Sequence, residues 1–137
     1  MRALSSFDYA VLRIVPRVDR EEFVNAGVIL YCKGQHYLGA RIHADEDRLR
    51  TLWPDIDTEV VRSHLEAFCR IAKGEAEAGP IAALPQRERF HWLVAPRSTV
   101  IQISPVHSGL CESPELGLEK LFQQLVLVQA PSLDGDD

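Results

Sequence analysis

The sequence predicts a single α+β domain, a mostly antiparallel sheet with helices packed on it. Three observations carry this reading: period-two segments crowd the first third of the chain, their links are of hairpin length, and the amphipathic helical stripes come afterwards.

Phe7, Tyr9, Val11, Arg13 and Val15 alternate with Asp8, Ala10, Leu12 and Ile14, so a first strand runs to Pro16. Val24 to Cys32 is almost continuously apolar, the pattern of a central strand covered on both faces. Asn25 and Gly27 within it predict a bulge or a close backbone approach. Lys33-Gly34-Gln35 then connects to a third strand over His36 to His43, completing a hairpin.

Asp45 is placed to cap a short helix, with Glu46 and Asp47 as solvated charges in its first turn, and Pro54 stops it near Trp53. Asp57 caps a second helix whose stripe is Val61, Leu65, Phe68 and Ala72, with Val60 and Ile71 beside it; Gly74 closes it. Residues 87–95 fit either period: Phe90, Leu93 and Val94 make a helical stripe, Phe90, Trp92 and Val94 an alternating strand. Thr99 to Ile103 is β-branched and strand-like up to Pro105. Ser113 and Pro114 open a last helix with the stripe Leu118, Leu121, Phe122, Leu125 and Val128. The domain is expected over residues 1–130, with residues 131–137 a disordered acidic tail.

Composition narrows the function classes. Apolar residues at 46% and charged residues at 26% are ordinary for a globular chain of 137 residues. The longest apolar run, Ala26 to Cys32, is far too short to span a bilayer, so no membrane role is expected. Three cysteines without a C-x-x-C pair fit reduced thiols in a cytoplasm, with Cys32 and Cys69 as small core residues. A net charge of −5 argues against generic nucleic-acid binding. Against that acidic background, the only formal charges between Leu84 and Leu110 are Arg87, Glu88, Arg89 and Arg97, a locally basic segment.

That segment holds the candidate binding residues. Arg87, Arg89 and Arg97 with Ser98 and Thr99 offer guanidinium forks and hydroxyls for an anion, and His107 and Ser108 follow within reach along the chain. Arg97 is the foremost of these, because Pro96 is expected to hold its guanidinium outward. The alternative is that these arginines pair with local acceptors and stabilise the fold. His91, His107 and Cys111 lack the fourth spaced ligand of a structural zinc site, so no metal and no cofactor is expected. Catalysis by Cys111 or Ser108 would need His107 and an orienting carboxylate alongside, and no recognised catalytic motif occurs. Trp53 and Trp92 are read as core anchors.

Three strings carry a family resemblance: Phe7-Asp8-Tyr9-Ala10-Val11-Leu12-Arg13, Glu22-Phe23-Val24-Asn25-Ala26-Gly27-Val28-Ile29-Leu30-Tyr31, and Arg89-Phe90-His91-Trp92-Leu93 continuing to Pro105-Val106-His107-Ser108-Gly109-Leu110. The chain resembles the bacterial DUF3037 family, a domain of unknown function, from about Phe7 to Val126. The resemblance implies a bacterial cytoplasmic protein whose gene neighbours one for a HipA-like serine/threonine kinase, hence a protein partner. The leading expectation is therefore a non-enzymatic accessory or regulatory binding module. The alternative is a small phosphate-recognising enzyme or nucleotide sensor using the Arg-rich region 84–111.

Overall fold

Five antiparallel strands form one sheet in the computed structural model, which describes residues 3–97 and 99–127. Strand β1 (Ser5–Ile14) pairs with β2 (Val24–Cys32), and β2 with β3 (Tyr37–Ile42). On its other side β1 carries β4 (Ile101–Ile103) along one half and β5 (His107–Cys111) along the other. The helices are α1 (Glu46–Leu52), α2 (Thr58–Lys73), α3 (Gln86–Leu93) and α4 (Pro114–Leu125). The expected α+β class and mostly antiparallel sheet are what the structure has.

The sheet is covered on both faces, and β2 shows how the sequence arranges this. Ile29 and Tyr31 pack with α1, α2 and α3 on the first face, while Val28, Leu30 and Cys32 pack with Leu118 and Phe122 of α4 on the second. At the start of the strand the phase changes, because Leu12 pairs with Gly27 but Arg13 with Asn25, leaving Ala26 as the extra residue of a bulge. The bulge keeps Val24 and Ala26 on the first face and turns Asn25 to the second, where its side-chain amide donates to the Leu125 carbonyl at 3.0 Å. The hairpin to β3 turns through Lys33–Gln35, with His36 in the left-handed region at φ 50°.

The Pro105 region holds a strand that the sequence reading missed. Pairs shift by one residue between Leu12↔Ile103 and Tyr9↔His107, so β4 and β5 behave as one strand interrupted at Ser104–Val106. Pro105 has no N–H for the ladder. Ser104 compensates: its N–H donates to the Val11 carbonyl at 2.9 Å, and its hydroxyl oxygen accepts the Val11 N–H at 2.8 Å. His107 and Cys111 therefore belong to a strand. A proline at an edge, with its own bulge, also blunts that edge against stray pairing.

The helix punctuation falls where expected. Asp45 accepts from the Arg48 N–H, Asp57 caps α2, Gly74 closes it at φ 76°, and Ser113 accepts from the Leu116 N–H ahead of Pro114. The ambiguous stretch 87–95 is helical over Gln86–Leu93, with Phe90 and Leu93 buried and the Phe90 ring stacked on Tyr31 at 5.4 Å. Trp53 is half-buried against the first-face core, but Trp92 is 41% exposed and anchors nothing inside. The 131–137 tail and Val128 lie outside the described residues.

Candidate functional site

An open groove of about 1020 Å³ lies between two connections, Pro16 to Phe23 leaving β1 and Leu52 to Asp57 joining α1 to α2. Local sequence builds both walls. Pro54 forces the residue before it out of the helical region, so α1 ends and Trp53 is extended at φ −140°, ψ 86°. The chain turns back through a hydrogen bond from the Ile56 N–H to the Trp53 carbonyl, and Asp57 opens α2. Asp57 accepts from the Glu59 and Val60 N–H groups at 3.1 and 3.2 Å. Replacing it with alanine should cost about 1 kcal/mol, the usual worth of an N-cap, read as a lower melting temperature.

Val61, Val100, Trp53 and Ile56 line the groove from the core side, and three large apolar side chains remain open to solvent along it. Phe23 is 46% exposed, Leu52 52% and Val60 45%. Scattered exposed apolar residues are ordinary, but three lining one concavity form a patch of the kind that marks a contact surface.

The rim is charged and mostly self-compensated. Arg17 binds Asp19 at 2.8 Å, and Arg20 binds Glu22 at 2.7 Å. The Arg17 guanidinium holds the Asp19 carboxyl below its ordinary value, and Arg20 does the same to Glu22. Glu21, held in the left-handed region at φ 56°, and Asp55 line the groove too, with no ion pair among the described residues.

None of the expected site residues among the described residues lines this groove or the smaller hollow of about 490 Å³ beside Arg13 and Gln102. Arg87 is exposed on α3. Arg89 donates to the Leu84 carbonyl at 2.7 Å and the Ala72 carbonyl at 3.2 Å, tying the end of α2 to the segment before α3. Arg97, expected to point outward, folds back instead. It donates to the Leu93 and Trp92 carbonyls at 2.9 and 3.0 Å and lies over the rings of Phe68 and Trp92. A guanidinium there satisfies the Leu93 carbonyl, which the end of α3 would leave unpaired, and adds a second donor to the Trp92 carbonyl, which already accepts the Ala95 N–H at 3.3 Å. Burial pulls its pKa down from the ordinary arginine value. Thr99 donates to the Ile101 carbonyl at 2.8 Å, and Ser98 lies outside the described residues.

The sheet separates the remaining pair. His107 packs tilted against the Tyr9 ring, centroids 5.4 Å apart, on the second face, whereas α3 with its arginines packs on the first. Ser108 follows on a strand, so its side chain points to the face opposite His107. Its hydroxyl donates to Asp8 at 2.7 Å, and among the described residues no imidazole is a hydrogen-bond partner of it. His107 and Cys111 are four apart along β5, which puts their Cα atoms roughly 13 Å apart. Burial pushes the Cys111 thiol up, with the Cys32 thiol adding to the shift, which is the opposite of an activated nucleophile. Among the described residues no three histidine, cysteine or acidic side chains gather as a metal site, and no helix is long and apolar enough to cross a membrane.

Sequence reasoning missed the groove residues Phe23, Leu52 and Val60. Local pattern gave no signal for them: Leu52 lies one turn from Leu49 as a core residue would, Val60 sits beside the α2 stripe, and Phe23 precedes β2. No curated protein and no solved structure matches this chain. The model of the family described as Protein of unknown function (DUF3037) matches residues 9–126, strands, helices and both groove walls together, and the chain therefore belongs to that family.

Proposed function

We propose that this protein is a non-enzymatic bacterial accessory module of the cytoplasm that binds a protein partner through the groove between the Pro16–Phe23 and Leu52–Asp57 connections. The observation that carries this reading is the row of half-exposed Phe23, Leu52 and Val60 over an apolar floor. A small-molecule site usually encloses most of its ligand. A shallow, open concavity with solvent-facing apolar side chains suits a macromolecular surface better. A nucleotide-sensing or phosphate-recognising role loses its main support, because the Arg89 and Arg97 forks are engaged by main-chain carbonyls.

The partner that the family resemblance suggests is a HipA-like serine/threonine kinase. The test is co-purification of this protein with the kinase from the neighbouring gene, using the wild type and a Leu52→Ser/Val60→Asp double variant. Both positions are exposed, and aspartate suits the first turn of α2, so the variant should melt close to the wild type. The expected result is a stable complex with the wild type and loss of most of it with the variant. Equal recovery of kinase with both proteins would remove the groove from the interface.

A further inference from the structure

The charges around the groove narrow what it takes. Its two arginines are each held by an acid two residues away, Arg17 by Asp19 and Arg20 by Glu22, so neither offers a free cation to a visitor. What remains on the lining is acidic. Glu21 and Asp55 form no ion pair among the described residues, and Asp57 directs a carboxylate oxygen at the start of α2. An anionic segment entering here would meet like charge on both walls, while a cationic one would meet complementary charge at the rim and apolar surface beneath.

Resting on the binding-module reading above, we infer that the groove's occupant is an amphipathic segment of a partner protein with apolar side chains on one face and lysine or arginine flanking them. The apolar face seats on Phe23, Leu52 and Val60, and the cations reach Glu21 on one wall and Asp55 on the other. Burial of the apolar face supplies most of the affinity. The rim charges choose the partner and speed its approach, so the association weakens with added salt.

The probes are three labelled synthetic peptides of equal length followed by fluorescence anisotropy: leucine with lysine in amphipathic order, the same peptide with glutamate for lysine, and the lysine peptide with serine for leucine. The leucine/lysine peptide is expected to bind, and each of the others to bind roughly tenfold or more weakly. A Glu21→Lys/Asp55→Lys variant, altered only at exposed positions, should reverse the preference between the lysine and glutamate peptides. If the glutamate peptide binds the wild type as tightly as the lysine one, and both are lost in Leu52→Ser/Val60→Asp, the charge assignment is overturned and the groove stands. If the serine/lysine peptide matches the leucine/lysine one, the amphipathic occupant is overturned. If no peptide binds, or binding survives Leu52→Ser/Val60→Asp, the proposal fails together with the reading beneath it.

Discussion

A Gly27→Ala protein is expected to lose about 3 kcal/mol of stability, the upper part of the range for forcing an extra group into a packed core. Gly27 is buried where the bulge of β2 brings it opposite Leu12 and next to Ile42 of β3. A Cβ there would lie 2.8 Å from the Arg41 carbonyl oxygen, 2.9 Å from Leu12 Cδ1 and 3.0 Å from Ile42 Cγ2. The nearest of these is main chain in the adjacent ladder, so relief requires strands to separate rather than a rotamer to change. Chemical denaturation measures the loss. The same change at Gly34, whose new Cβ would come no nearer than 3.7 Å to the Ser5 hydroxyl, should leave stability within about 0.5 kcal/mol of the wild type, as for an ordinary surface substitution. Equal stability of wild type and Gly27→Ala would mean that the strands around the bulge accommodate a methyl group without cost.

An Arg97→Ala protein is expected to lose about 1.5 to 3 kcal/mol, the range for hydrogen bonds involving a charged group. Its two donations to α3 carbonyls and its position over Phe68 and Trp92 all lie within the domain, so the loss should appear in unfolding rather than in binding. Arg97→Lys keeps the charge near the end of α3 but cannot reproduce two parallel donations, and should fall between the two proteins. Equilibrium denaturation of all three, beside titration with the leucine/lysine peptide, separates the roles. A stable Arg97→Ala protein that no longer binds would return Arg97 to a recognition site.

The fate of this arginine shows where a sequence stops being informative. Charge type and the neighbouring Pro96 are visible in the chain, but the acceptors are not. Leu93 and Trp92 offer their carbonyls only because residues 86–93 form a helix that ends there, and the local periodicity left that helix open between two patterns. His107 and Ser108 looked like companions by proximity, and a strand sends adjacent side chains to opposite faces. The strand itself was hidden by Pro105, which reads as a terminus. Ser104 bridges that interruption with a hydroxyl bonded to Val11, 93 residues earlier in the chain.

By itself the sequence determined the antiparallel α+β class, the Asp45, Asp57 and Ser113 caps, the Gly74 stop and the bulge near Asn25 and Gly27. Each depends on neighbours within a turn or a strand, where side-chain type acts directly on backbone conformation. Only the tertiary structure decided which arginines were already engaged and which apolar side chains stayed open to solvent. Phe23, Leu52 and Val60 are separated along the chain and share one groove because β2, α1 and α2 meet there. Exposure is a property of what packs on a residue, and that is set by contacts between distant segments that no local pattern encodes.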